Sequence, residues 1–247
     1  MAESYRSRAF TAENLRFVSR HVLLTGFAPF GPHAVNPSEL LTRSLEGRII
    51  GGCIIDARIL PVETRPLRDR LAKALTETRP QAVIGLGYAP GRAALALERI
   101  AVNVLDFELP DTAGITRKDE PIDENGPDGR LSTLPSGEIV AAWNEGGVPG
   151  YVSDSAGTYL CNQWLYETLA LTAAAPNAIP AGFVHVPALP AQAVAMGADR
   201  TPSMTLELMQ RGIETAIEII ARRLDAAAPA PPPRAAGESW IPGRTQR

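Results

Sequence analysis

The sequence predicts an α/β domain with a mainly parallel β-sheet and helices on both of its faces. Two observations predict it. Short, almost wholly apolar runs of strand length recur along the chain, at residues 21–25, 81–87 and 181–187. Segments with helical periodicity lie between these runs, as in residues 65–78, where Leu67, Leu71 and Leu75 share one face. Such alternation is typical of parallel strands that are buried on both faces and joined by crossover helices.

The first half of the chain contains three predicted strands and two predicted helices. Residues 21–25 form a buried strand that ends at Gly26, and residues 26–32 form a loop. A helix then runs to about Leu45, with Ser38 as its N-cap or Pro37 in its first turn. The pattern that follows predicts a strand at 52–62, a helix at 65–78 that Pro80 stops, and a strand at 81–87.

The second half begins with a less regular segment. Residues 94–106 are mainly apolar, and their 103–106 portion predicts a strand. Residues 109–136 are rich in Pro, Gly, Asp and Glu and predict a long irregular excursion. The remaining elements are a helix at 138–144, a strand at 148–153, a helix that contains Cys161 and ends near Ala175, a strand at 181–187 and an amphipathic helix at 205–224.

Composition divides the chain into one domain and two terminal segments. Residues 1–20 are polar without clear periodicity and predict an N-terminal extension, while residues 226–247 predict a Pro/Ala-rich C-terminal tail with little to bury. Residues 21–225 then form a single α/β domain. The extension has no apolar stretch of the kind that a secretory signal requires.

Charge and cysteine content narrow the class of protein. A formal net charge of −3 gives no basis for a nucleic-acid or anionic membrane partner. Nothing approaches the ~18 consecutive apolar residues of a membrane span. Cys53 and Cys161 are the only cysteines, and although this number does not exclude a disulfide, it favours a reduced, cytoplasmic setting.

Cys161 is the candidate nucleophile. It follows a strand and a turn of small residues, and it falls near the point where a helix begins. Free N–H groups and the positive end of the helix dipole favour an anion there, which predicts a stabilised thiolate. The alternative is that Cys161 is an inert, small hydrophobic residue, as most free cysteines are.

His185 is the candidate partner of Cys161. The chain has three histidines, His21, His33 and His185, and only His185 lies near the carboxyl end of an apolar strand. Ligands gather at the carboxyl ends of strands in open α/β sheets, so a histidine there is well placed to meet a cysteine on a neighbouring turn. A half-buried histidine with satisfied hydrogen bonds is an equally good interpretation of this residue alone.

Glu98 is the candidate for orienting the imidazole, because apolar residues surround it in the sequence and a buried carboxylate needs a partner. The alternative is that Glu98 simply pairs with Arg92 or Arg99. The residues by themselves do not decide between the two.

Five motifs in preserved order resemble the pyroglutamyl-peptidase I family of cysteine peptidases, over about residues 22–222. They are residues 24–31 (LTGFAPFG) with 36–38 (NPS), 91–92 (GR) with 98–103 (ERIAVN), 155–162 (SAGTYLCN), 183–187 (FVHVP) with 189–190 (LP), and 202–204 (PSM). The resemblance implies that Cys161 is the nucleophile, His185 the general base and acid, and Glu98 the group that orients His185.

The resemblance also implies a fold, a substrate and an assembly. These are a single-domain α/β/α sandwich with a mixed, mainly parallel sheet, a peptide substrate with an N-terminal pyroglutamate, and a homotetramer without metal or organic cofactor. Phe27 and Phe30 match aromatic residues that line the family's lactam pocket, although core packing is the ordinary role of such residues. Arg92 is a candidate for stabilising the oxyanion together with helical N–H groups.

One departure from the family pattern concerns the pocket. The family often has Gly-Gln-Ala-Gly-Gly-Arg where this chain has residues 87–92 (GYAPGR), so Tyr88 and Pro90 replace an amide and a glycine. Tyr88 still offers a hydroxyl for substrate binding, but its reach differs. A thiol amidase or acyl hydrolase with altered acyl specificity is therefore the second hypothesis. A non-catalytic binding protein on the same fold is the third, and the presence of Cys161, His185 and Glu98 counts against it.

Overall fold

The computed structural model describes residues 20–197 and 199–227. The predicted N-terminal extension, apart from Arg20, and the predicted C-terminal tail, apart from residues 226 and 227, lie outside the described residues. Within the described ranges, no helix is both long enough and apolar enough to cross a membrane.

The described chain alternates strands and helices. The strands are β1 (Arg20–Phe27), β2 (Ile49–Ile50), β3 (Cys53–Leu60), β4 (Ala82–Tyr88), β5 (Leu95–Glu98), β6 (Ile100–Val102), β7 (Leu105–Phe107), β8 (Arg117–Glu120), β9 (Gly129–Leu131), β10 (Gly150–Ser153) and β11 (Ala181–Val186). The helices are α1 (Pro37–Leu45), α2 (Leu67–Thr78), α3 (Ser136–Glu145), α4 (Leu160–Ala173), α5 (Pro190–Met196) and α6 (Leu206–Ala227).

Seven of these strands form one mixed sheet in the order β10-β5-β11-β4-β1-β3-β2. The pairs β10–β5, β11–β4, β4–β1 and β1–β3 are parallel, whereas β5–β11 and β3–β2 are antiparallel. Every residue of the central strands β4 and β11 is buried, which explains why both read as continuous apolar runs.

The two faces of the sheet carry separate hydrophobic clusters. Helices α1, α3 and α6 pack on one face, and α2 and α4 pack on the other with Trp164 and Phe183 at their centre. Aromatic rings of Trp164 and Phe183 lie 5.3 Å apart, centroid to centroid. The predicted α/β class, with a mainly parallel sheet between helical layers, is confirmed.

Several predicted elements were wrong in detail. The 109–136 excursion contains β8 and β9, which pair with β7 and β6, and the strand predicted at 103–106 lies instead at Leu105–Phe107. The sequence pattern also missed the short elements β2 and α5. Strands β8 and β9 are short and have exposed or half-buried side chains, so they leave no apolar run to detect.

The start of α1 differs from one of the two predicted alternatives. Asn36, not Ser38, is the N-cap: its Oδ1 accepts a hydrogen bond from the backbone N–H of Ser38 at 3.0 Å. Pro37 occupies the first turn, as predicted. The Ser38 hydroxyl oxygen instead accepts from the backbone N–H of Phe27 at 3.1 Å, which ties the end of β1 to the helix.

Candidate active site

The predicted site residues meet at the carboxyl edge of the parallel strands. Strand β1 ends at Phe27, β4 at Tyr88 and β11 at Val186, and the three strands are neighbours in the order β11-β4-β1. Helix α4 begins at Leu160 on the same side as the Trp164–Phe183 cluster. The sheet therefore gathers residues that are more than 150 positions apart in the sequence.

Cys161 is the second residue of α4. The turn before it includes Gly157, whose φ of +79° is a left-handed conformation that favours glycine. The thiol lies against Gly87 of β4: a Cβ atom built at Gly87 would be 2.8 Å from Sγ of Cys161 and 2.6 Å from the Phe183 ring. Because Gly87 is the register partner of His185, this contact brings Cys161 to the end of β11 that carries the histidine.

His185 and Glu98 form a buried hydrogen-bonded pair. Nδ1 of His185 lies 2.7 Å from Oε1 of Glu98, with the glutamate fully buried and the histidine 5% exposed. The antiparallel register of β5 and β11 produces the pair, since Glu98 is opposite Phe183 and Ala96 is opposite His185. A carboxylate on Nδ1 places the proton there and leaves Nε2 as the nitrogen that exchanges protons with a substrate.

Arg92 contacts the same carboxylate. Its Nη1 donates to Oε1 of Glu98 at 2.9 Å and to the hydroxyl of Tyr151 at 3.2 Å, and its Nη2 donates to the carbonyl of Ser155 at 3.2 Å. Glu98 thus contacts both of its candidate partners, because one oxygen lies within hydrogen-bonding distance of His185 and Arg92 together. Arg99 takes no part in this pair and lies 3.2 Å from Asp154 instead.

Burial controls the protonation of the cysteine and the histidine. Burial, followed by the charge of Glu98, raises the pKa of Cys161 to about 12. Burial also lowers the pKa of His185, and Arg92 lowers it further, while the hydrogen bond and charge of Glu98 act in the opposite direction. Both shifts favour the uncharged forms of the thiol and the imidazole, so the lowered thiol pKa expected from the helix start is wrong.

An aromatic wall continues from these residues around the carboxyl edge. Edge-to-face or tilted ring contacts link Tyr88 to His33 (5.2 Å), His33 to Phe30 (6.1 Å), Phe30 to Tyr159 (6.2 Å) and Tyr159 to Phe107 (4.5 Å). Phe27 is 4% exposed and packs in the cluster beneath. We call the five ring-bearing residues Phe30, His33, Tyr88, Phe107 and Tyr159 the aromatic wall.

Tyr88 is the least exposed residue of the aromatic wall. It is 6% exposed, and burial raises the pKa of its phenol, so the hydroxyl remains protonated and able to donate. The hydroxyl lies 3.9 Å from the thioether sulfur of Met196 in α5, which is a weak hydrogen bond.

Sequence reasoning missed four contributors to the site. His33, Phe107 and Tyr159 belong to the aromatic wall, and Tyr151 accepts a hydrogen bond from Arg92. The position of Tyr159, two residues before Cys161, was a usable signal. His33, Phe107 and Tyr151 carried none, because only the assembled fold brings the loop of His33 and the strands β7 and β10 to this edge.

The remaining histidine and cysteine lie elsewhere. His21 is the second residue of β1, at the opposite edge of the sheet, where its Nδ1 lies 2.6 Å from Oδ2 of Asp56. Cys53 is fully buried at the start of β3, and both Cys53 and Cys161 are free thiols. Within the ranges that the structure describes, no cluster of His, Cys, Asp and Glu has a metal-binding arrangement.

Comparison with known proteins identifies relatives of almost the whole described chain. A family model described as pyroglutamyl peptidase matches residues 20–223. The pyrrolidone-carboxylate peptidase of Pyrococcus furiosus is 40% identical over 205 residues, which are 82% of this chain and 99% of that relative. The corresponding protein of Deinococcus radiodurans is 42% identical over 207 residues, 83% and 94% of the two chains. The solved structure of pyrrolidone carboxyl peptidase from Thermococcus litoralis matches with a TM-score of 0.81 at 36% identity, over 85% of this chain and 96% of that one.

Proposed function

Because the chain belongs to the pyroglutamyl peptidase family, we propose that it releases N-terminal pyroglutamyl groups from peptides with Cys161 as nucleophile. Family membership makes it a cysteine peptidase and therefore a hydrolase. The observation that supports the residue roles best is the 2.7 Å contact between His185 and Glu98, one strand away from the glycine that faces the Cys161 thiol.

The proposed reaction begins from the neutral thiol and imidazole. Sγ of Cys161 attacks the carbonyl carbon that follows the lactam ring, and its proton moves to Nε2 of His185. The buried Glu98 carboxylate stabilises the imidazolium that forms. N–H groups in the first turn of α4, which have no acceptor within the helix, can donate to the oxyanion.

The second half of the reaction releases both products. His185 returns the proton to the leaving amine, which departs as the shortened peptide and leaves a thioester on Cys161. Water attacks the thioester while His185 accepts a proton from it, and the C–S bond then breaks to release pyroglutamic acid. His185 gives that proton to the departing sulfur, which restores the thiol. Every step uses protein groups and water.

The aromatic wall suits the proposed substrate. A pyroglutamyl ring is flat and uncharged, so apolar ring faces with a few hydrogen-bond donors are an appropriate pocket. Phe30 and Tyr88 supply such surfaces, with Phe27 behind them, and the protonated Tyr88 hydroxyl supplies a donor. Arg92 belongs to the site as well, although its hydrogen bonds to Glu98, Tyr151 and Ser155 favour a role behind the substrate.

A panel of chromogenic substrates tests the proposal. We expect release of the amine from a pyroglutamyl derivative to exceed release from the matched prolyl and acetyl derivatives by about 100-fold, because a site with placed polar groups rejects analogues that leave them unpaired. Turnover of only the prolyl or acetyl derivative would favour the second candidate function, an acyl hydrolase with altered specificity, which the buried Tyr88 side chain motivates. No turnover with any of the three, on a folded protein, would favour a binding protein.

The reactivity of Cys161 toward a neutral alkylating agent should depend steeply on pH. Since burial raises the pKa of its thiol to about 12, the rate of reaction with iodoacetamide is expected to rise about tenfold per pH unit between pH 6 and 9. Mass spectrometry of the Cys161 peptide measures the rate, with the fully buried Cys53 as the internal reference. A rate that stays level down to pH 5 would instead indicate a thiolate–imidazolium pair in the free protein.

The proposal also covers the partner, location and assembly of the protein. We expect a peptide as partner, a cytoplasmic location, and the homotetramer implied by family resemblance, without a nucleic-acid or membrane partner. Light scattering on the purified protein measures the assembly, for which a mass of four 26.4 kDa chains is the expected value.

A further inference from the structure

Arg92 joins three separate elements around the Glu98 carboxylate. The arginine follows β4, and its guanidinium contacts Glu98 at the end of β5, Tyr151 on β10 and the Ser155 carbonyl in the turn that leads into α4. Its side chain is only 23% exposed. One cation therefore touches the group that holds His185 and the turn that precedes Cys161.

We propose that Arg92 is a positioning residue, which holds the Glu98 carboxylate against His185 and anchors the turn before Cys161 to the same carboxylate. This inference rests on the proposed function and deepens it, since it assigns how the imidazole is held. It also assigns to Arg92 a role different from binding the oxyanion of the substrate.

The hydrogen bonds of the Arg92 guanidinium support this role. A guanidinium has five N–H donors in a planar fork, and the two on Nη1 are used by Glu98 and Tyr151. One of the two on Nη2 is used by Ser155. With three acceptors on three elements, the fork has one orientation, and that orientation presents Nη1 to the carboxylate.

The burial of the Glu98 carboxylate supports this role as well. Glu98 is fully buried, and a carboxylate removed from water requires a compensating cation or several hydrogen bonds. Burial lowers the pKa of His185 and so disfavours its charged form, which leaves the Arg92 guanidinium, 2.9 Å from Oε1, as the main compensating charge. Within the described residues, Oε2 of Glu98 has no hydrogen-bond partner. The contacts of Oε1 with Arg92 and His185 are therefore the ones that compensate for burial of the carboxylate.

The charged and titratable groups around His185 determine how its pKa responds to removal of Arg92. They are Glu98 on β5, Arg92 after β4 and Cys161 on α4, with the Tyr151 hydroxyl on β10 reached through Arg92. Loss of the positive charge stabilises the imidazolium, so the pKa of His185 rises. His185 must be neutral to act as base, and the acid limb of the pH profile therefore moves to higher pH.

A double-mutant cycle tests the inference. Arg92→Gln should lower kcat about 10- to 100-fold, a range typical of coupling between contacting groups, but only about threefold or less in a Glu98→Gln background. The acid limb of kcat/KM should move up by about one pH unit in Arg92→Gln and stay near the wild-type position in Arg92→Lys. Arg99→Gln, which removes the neighbouring exposed arginine, is the matched control with unchanged kcat.

Other outcomes overturn the positioning role. If Arg92→Gln lowers kcat equally in both backgrounds with the acid limb unmoved, Arg92 acts directly on the substrate. If Arg92→Gln does not fold, the same cycle is run with Arg92→Lys. The factors by which Arg92→Lys lowers kcat in the wild-type and Glu98→Gln backgrounds must then differ by about threefold or more, and equal factors contradict the positioning role.

One measurement does not depend on activity. The chain has three histidines, and the imidazole NMR signal that is absent in His185→Ala belongs to His185. A pH titration of that signal measures the pKa of His185. Its pKa should rise in Arg92→Gln and not in Arg99→Gln, and an unchanged pKa contradicts the inference. Failure of the wild-type protein on the pyroglutamyl substrate would concern the proposed function alone, because this titration tests the arrangement of Arg92, Glu98 and His185 without any substrate.

Discussion

Cys161→Ser and His185→Ala are each expected to lower kcat on a pyroglutamyl substrate about 1,000-fold or more, because both groups act in the same bond-making step. Serine is a poorer nucleophile than a thiol at this site, and alanine leaves the Cys161 proton without an acceptor. Steady-state kinetics on the purified variants measures the loss. The double variant should be only slightly worse than either single one, since residues that act as a unit are not additive.

The chain supplies matched controls for this result. Cys53→Ala removes the other cysteine, which is buried at the start of β3, and His21→Ala removes a histidine at the opposite edge of the sheet. Both should keep kcat within about threefold of wild type, as expected for changes far from the site. His33 is a poorer control, since it contacts the Tyr88 and Phe30 rings. A loss in His21→Ala as large as that in His185→Ala would contradict the assignment.

Glu167→Gln is expected to stabilise the protein above neutral pH by about 3 kcal/mol, since burial raises the pKa of the Glu167 carboxyl from 4.5 to about 7. Glu167 lies on α4, is 5% exposed and accepts one hydrogen bond from Gln163. Within the part of the chain that the structure describes, its Oε2 is buried without a partner. A glutamine keeps the shape and the Gln163 contact but never carries the charge.

The pH dependence follows from the direction of the shift. A carboxyl whose pKa is raised by folding contributes stability that is fully present below pH 4.5 and is lost as pH rises to about 7. Urea unfolding of both proteins at pH 5 and pH 8 measures the difference, which should be small at pH 5 and near its maximum at pH 8. Glu145→Gln, an exposed change at the end of α3, should give the same small difference at both pH values.

The strands of the central sheet could be predicted because burial on both faces leaves a direct trace in the sequence. Strands β4 and β11 are buried at every position, and their boundaries differ from the predictions by about one residue. The strands β8 and β9 left no such trace, since none of their residues is buried and they form by pairing with β7 and β6. Pairing across a long connection is a property of the assembled chain.

The candidate site was predictable in its members and not in its arrangement. Helical start, strand end and apolar surroundings singled out Cys161, His185 and Glu98, and the structure brings all three to one edge of the sheet. Their catalytic roles stay predictions. The sequence offered Arg92 as an alternative partner of Glu98, whereas the structure has Arg92 and His185 on one oxygen.

The pKa of Cys161 could not be predicted from its position in the sequence. Position at the start of a helix predicts a lowered thiol pKa, but burial, followed by the charge of Glu98, raises it to about 12. A helix terminus contributes a partial charge, while burial removes the water that would solvate a thiolate, and the second effect is larger here.

By itself, the sequence determined the fold class, the approximate strands and helices, and the candidates for nucleophile, histidine and carboxylate, because each depends on local periodicity or on motifs that lie along the chain. Only the tertiary structure decided the sheet order, the shared Oε1 contact, the aromatic wall and the protonation of the thiol. These depend on the register of neighbouring strands and on what protein atoms surround a side chain. Both arise from contacts between residues that are distant in sequence.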